Sequence, residues 1–246
     1  MKQARTTPFR AVVNIAGILA FGLVLNSGNA MADDPTVETD VFSIARGGQY
    51  YDKWWAVIDA EKPKGTHAAY TAEGKQKGAS TWRCKECHGW DGRGADGAYS
   101  SGKHATGILG IDGMAGADPA AIIAVLTDEG HGFGDKLSVA DLTDLANFVA
   151  YGQVDMATYV DPETKAPRGD AAVGGQVYNT VCANCHGRDG KEPKEMPPLG
   201  SLMGNPWEVM HKILNGQPNE KMPALRAIDY QVAADIMAYL TTLPTE

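Results

Sequence analysis

Past Leu25 the sequence has no apolar run that could cross a bilayer, a task that takes about 20 residues. Nor does any stretch alternate apolar and polar residues as a half-buried strand does, so the pattern predicts an all-α chain. Positive charge is scarce: 22 Lys and Arg stand against 30 Asp and Glu, for a net charge of −8. Such a surface repels nucleic acid and anionic lipid. It keeps a chain soluble and steers it toward protein partners with basic faces. No phosphate loop, nicotinamide fingerprint or nucleophile triad stands out, which removes the enzyme classes that declare themselves by motif. Cysteine is scarce too, with four in 246 residues.

All four cysteines fall within two copies of one pentapeptide, Cys84-Lys85-Glu86-Cys87-His88 and Cys182-Ala183-Asn184-Cys185-His186. Two thiols three positions apart, followed at once by an imidazole, form the arrangement that fastens haem: each sulfur adds to a vinyl group and the histidine binds iron. One zinc site built from four thiolates would also use the cysteines, as would two disulfides, but neither gives the repeated histidine a role. The expectation is two haem c groups, attached through Cys84, Cys87, Cys182 and Cys185, with His88 and His186 as iron ligands.

Residues 1–32 read as a secretory signal: Lys2, Arg5 and Arg10 lead, Ala11 to Leu25 is mostly apolar, and Ala30-Met31-Ala32 fits a small-x-small cleavage site. Cleavage after Ala30 is the alternative cut. A retained anchor is the competing reading, against which stand the shortness of the run and its Asn14, Gly17 and Gly22. Export to the periplasm agrees with haem attachment, which takes place outside the cytoplasmic membrane. No membrane span is expected after cleavage, and loss of three basic residues leaves the mature chain more acidic still.

The remainder of the chain divides into two small domains, residues 33–155 and 170–246, joined by a linker at 156–169 that carries Pro162 and Pro167. In the first, 33–40 is a polar tail, 43–58 a helix with Ile44, Tyr51, Trp54, Trp55 and Ile58 on one side, and 62–78 a loop. Asp118-Pro119 begins a helix that ends near Gly130, and Ser138 caps another with Asp141 completing a capping box. In the second, 170–182 runs as a helix into the attachment motif, 207–214 is a short helix after Asn205-Pro206, and 229–243 closes the chain.

Nearly all of 170–246 resembles class I cytochrome c. The resemblance implies that Gly174 and Tyr178 cross Tyr239 and Leu240 of the last helix, and that Pro198 offers its carbonyl to the ring N–H of His186. It also implies that Met222, before Asp229, supplies sulfur as the second iron ligand, a soft neutral donor that raises the potential of haem iron. The first domain matches less well: Gln76, Ser80 and Ser100 stand where the family has its glycine, aromatic and proline. Its YYDKWW and TWRCKECHGWDGRG segments are similar to N-terminal domains of bacterial dihaem cytochromes c. Two tandem cytochrome c-like haem domains are the expected architecture.

No methionine precedes the helix capped by Ser138. His131, flanked by Gly130 and Gly132, has the same spacing to that cap as Met222 has to Asp229, and is the expected second ligand of the first haem. His104, Met114 and Met156 are its rivals. Arg83 and Arg93 could pair with haem propionates, Trp82 and Trp90 could pack on the porphyrin, and Lys191, Lys194 and Lys221 could form a docking ring. The expected function is electron transfer between redox partner proteins. A dihaem oxidoreductase acting, for example, on a small sulfur compound is one alternative, and a cytochrome subunit of a membrane oxidoreductase complex is the other.

Overall fold

In this computed structural model, which describes residues 35–246, the chain is built from helices and turns, and pairing of extended backbone is limited to two isolated bridges, Gly94 with Leu109 and Val160 with Pro167. The expected signal segment lies outside the described residues. Among them no helix is long and apolar enough to cross a membrane.

Helix α1 (Pro35–Val57) starts within the segment expected to be a tail, and bends at Lys53 (φ −156°, ψ 76°). The attachment motif forms α2 (Cys84–His88), and α3 (Pro119–Leu126) starts at Asp118, whose carboxylate accepts from the Ala120 N–H. This helix stops four residues earlier than its composition suggests, because the backbone turns at Thr127 to carry the loop that holds His131. Helix α4 (Val139–Tyr151) has the expected reciprocal capping box between Ser138 and Asp141.

The second half begins with α5 (Ala171–Val177), passes through one π turn at Tyr178–Cys182, and continues as α6 (Ala183–His186). A single turn, α7 (Leu199–Leu202), precedes α8 (Pro206–Asn215) and the closing α9 (Tyr230–Leu240). The described residues form one compact unit with two apolar clusters. The first gathers α1, α3 and α4 around Leu145 and Ala146, and the second gathers α8 and α9 around Tyr178, Met210 and Met237. The segment expected to be a linker contributes Met156 and Val160 to the second cluster.

One helix crossing occurs twice. At α5 and α9, a Cβ on Gly174 would stand 1.8 Å from the Asp235 carbonyl oxygen, so only glycine lets the backbones approach. One turn on, Tyr178 and Tyr239 meet at 5.2 Å between ring centres, tilted 45°. At α1 and α4, a Cβ on Gly47 would stand 2.0 Å from the Asp144 carbonyl oxygen, and Tyr51 meets Phe148 at 5.2 Å between ring centres, tilted 46°. The glycine and aromatic missing at Gln76 and Ser80 are therefore Gly47 and Tyr51, far upstream of their motif. The signal was visible as Gly47-Gly48-Gln49-Tyr50-Tyr51 beside Gly174-Gly175-Gln176-Val177-Tyr178.

The halves are joined by α8 lying on α1. Gly48 is closed against Asn215, His211 Nε2 donates to the Gly48 carbonyl (2.8 Å), and Gln49 donates to the Asn215 carbonyl (2.8 Å). Beside them the buried carboxylate of Asp52 pairs with both Arg83 and Lys212. Burial alone would raise the Asp52 carboxyl, but Lys212 and Arg83 together hold it below its usual range.

Candidate haem sites

Each attachment motif is locked from behind by the tyrosine of its helix crossing. Tyr51 donates to the carbonyl of Gly89 (2.6 Å) and Tyr178 to that of Gly187 (2.7 Å), the residue after each motif histidine. Both glycines have positive φ, 77° and 72°, which allows the chain to turn away at once from the ring. The tyrosine thus fixes the position from which the imidazole projects.

None of the four cysteines is paired in a disulfide. Burial pushes Cys84 up to about 12 and Cys87 to about 11, and it raises Cys182 as well. No three His, Cys, Asp or Glu side chains gather as metal donors among the described residues, so the four-thiolate zinc reading finds no site.

His88 turns its Nδ1 to the carbonyl of Leu109 at 2.8 Å, which makes Nδ1 the protonated nitrogen and leaves Nε2 as a donor to metal. Sequence reasoning missed Leu109, since a backbone acceptor brought in by a loop has no side-chain signature. His131, on the loop between α3 and α4, has its Nδ1 at 3.3 Å from Asp128 Oδ1, and its own backbone N–H donates to the same oxygen at 2.8 Å. The His88 and His131 rings are 6.4 Å apart between centres, with planes 14° from parallel. Two imidazoles on opposite sides of one metal ion, at about 2 Å per bond, place their ring centres roughly 6 Å apart. The residues present therefore fit an iron held between these two rings.

The rivals are engaged elsewhere. His104 Nδ1 lies 2.7 Å from the buried carboxylate of Glu86 and its ring stacks on Tyr99 at 4.5 Å, while Met156 is buried in the second cluster. Met114 packs at the edge of the first cluster. Arg83 is taken by Asp52, so it is not a free partner for propionates. Trp90 is buried in the second cluster, beneath the cationic groups of Arg83, Lys85 and Lys212 at 5.2–5.7 Å. Trp54, packed edge-on against Phe133 two residues beyond His131, keeps a buried indole N–H without an acceptor, a donor suited to a carboxylate.

In the second half His186 Nδ1 faces the carbonyl of Glu192 at 3.3 Å. Pro198 does not take this bond. It is the N-cap of α7, and its carbonyl accepts from the Ser201 N–H (2.9 Å) and hydroxyl (2.7 Å). Met222 stands half-buried on the loop between α8 and α9, ahead of the Asp229 cap. Met210 and Met237 are fully buried packing residues. Of the three lysines, Lys194 pairs with Glu192 at 2.8 Å.

Residues 169–240 match the protein family described as cytochrome c oxidase, cbb3-type, subunit III. Over 150 residues the chain is 30% identical to the Cbb3-type cytochrome c oxidase subunit FixP of Azorhizobium caulinodans, a match that takes in 56% of this chain and 45% of that protein. The chain thus spans less than half the length of that relative. Both matches support a c-type cytochrome, and the family implies covalently bound haem c.

Proposed function

We propose that this chain is an exported dihaem c-type cytochrome that carries electrons between protein partners. The observation that carries the reading is the opposed pair His88 and His131, set 6.4 Å apart beside one of two attachment motifs. Haem iron, when bound, supplies one-electron chemistry by alternating between ferric and ferrous states. Cys84 and Cys87 would hold one haem c through thioethers, and Cys182 and Cys185 the other. His88 and His131 would hold the iron of the first, and His186 and Met222 that of the second. Imidazole stabilises ferric iron more than a thioether does, so the first site is expected to have the lower potential. With these four side chains engaged, neither haem would be left open to a small substrate, which favours carriage of electrons over turnover of a sulfur compound.

Mass spectrometry under denaturing conditions tests the haem count, and a redox titration followed by low-temperature EPR tests the ligands. The expected result is two covalent haems of unequal potential; one haem, or two equal potentials, counts against the reading. Export is tested by N-terminal sequencing of the mature protein, expected to begin at Asp33 or Met31.

A second reading, a cytochrome subunit of a membrane oxidase, is favoured by both matches being named as oxidase subunits. Recovery of the protein from membranes in a larger haem-containing assembly decides for it, and recovery from the soluble periplasmic fraction decides against.

A further inference from the structure

The two halves differ in the chain between helix crossing and attachment motif. Three residues separate Tyr178 from Cys182, whereas residues 52–83 separate Tyr51 from Cys84. This extra length crosses to the opposite side of the first site, where His67 Nε2 meets the backbone carbonyl of His131 at 3.0 Å. A carbonyl only accepts, so Nε2 carries the proton. The other ring nitrogen, Nδ1, accepts from the Ala69 N–H at 3.1 Å. Both nitrogens are thereby committed in one tautomer, and neither is left for iron.

The ring is held by packing as well. It stands edge-on to Trp82 (4.3 Å, 71°) and nearly parallel to Phe133 (6.1 Å, 27°). Trp82 lies two residues before Cys84, and Phe133 two residues after His131. The His67 backbone N–H donates to the buried Thr81 hydroxyl at 2.8 Å, which donates in turn to the Gly78 carbonyl at 2.6 Å. His67 therefore ties the segment entering the first motif to the loop that carries His131. That loop has need of a tie: the His131 side chain is 37% exposed, its partner Asp128 is 50% exposed, and Gly132 is the next residue at φ 64°.

We propose that His67 is a positioning residue that holds His131 in place and so keeps the first haem closed to outside ligands. The inference rests on the ligation of that haem by His88 and His131, and its test separates the two. His67→Asn keeps an acceptor for Ala69 but is too short to reach His131, whereas His67→Gln sets its amide near the place of Nε2 and keeps the reach. A role in packing alone would make the two variants alike.

The probe is carbon monoxide added to the reduced protein, with the low-spin EPR signal of the oxidised first haem as a second readout. H67N is expected to take up carbon monoxide about five-fold faster than the unaltered protein, the weight of one neutral hydrogen bond. H67Q is expected to stay within about two-fold of the unaltered rate. H131A is the control, expected to open the haem fully. If H131A opens it but H67N and H67Q behave alike, the positioning role is overturned and the ligation stands. If H131A leaves the EPR signal unchanged, the ligation itself fails and takes this inference with it. Far-UV circular dichroism and haem count check that each variant is folded, and H67S, also too short, replaces H67N should that protein not be recovered.

Discussion

Lowering the pH from 7 to 4.5 is expected to weaken the fold through His211, the residue at which α8 meets α1 and α4. Its ring is enclosed by Tyr51, Trp90 and Phe148 at 5.9, 4.9 and 5.6 Å, and its Nε2 donates to Gly48. Burial drives its pKa down to about 3, against the pull of Asp52 and with the help of Lys212 and Arg226. In the unfolded chain the same imidazole takes up a proton near 6.5. Below that pH the unfolded state binds a proton that the folded state refuses. The stabilisation is therefore complete above pH 6.5 and is lost as the pH falls toward 3. At about 1.4 kcal/mol per unit, the two units between 6.5 and 4.5 remove about 3 kcal/mol. Asp52 adds little in this window. Its carboxyl is held below the usual range, so its share is present above the unfolded value near 3.9 and fades only as the pH falls through the folded one. Urea unfolding monitored by far-UV circular dichroism at both pH values measures the loss. H211Q is the comparison, since its amide still donates to Gly48 but does not titrate, and other buried histidines cancel in the difference. The unaltered protein is expected to lose about 3 kcal/mol more than H211Q; equal losses would refute a sealed, neutral ring.

The packing gives three further expected outcomes. D52A strands Arg83 and Lys212 without their buried counter-charge and is expected to cost about 3–5 kcal/mol, read as a fall in Tm. G47A and G174A each drive a Cβ into a carbonyl oxygen of the crossing helix, and each is expected to cost about 3 kcal/mol or more in denaturant unfolding. S138A removes the hydroxyl that accepts from the Asp141 N–H at the start of α4, for an expected loss of about 1 kcal/mol in the same assay.

The features legible from residues alone were those in which cause and effect lie within a few positions. The expected haem attachment through Cys84, Cys87 and His88 was read in this way, since thioether attachment and iron binding together would require only five consecutive residues. The caps at Asp118 and Ser138 were readable for the same reason: a side chain satisfies an N–H two or three residues away. The repeated Gly-x-x-x-Tyr is also present in the sequence, but at the first motif its tyrosine lies 33 residues upstream of Cys84 rather than just before it.

Most contacts that depend on the chain returning from a distance had to wait for the folded molecule. Tyr51 closes Gly89 across 38 positions, and Asp52 gathers Arg83 and Lys212 from two different segments; the approach of His131 to His88 is the exception, expected from the spacing of His131 to the Ser138 cap. The exchange of Pro198 for Glu192 behind His186 is local, but it too depends on the fold, since the start of α7 engages the proline carbonyl. Spacing along a chain encodes contacts that a helix turn or a covalent tether can span. A backbone carbonyl brought in by a loop, or a charge pair buried between helices, leaves no local pattern, because its partners are selected by packing rather than by position.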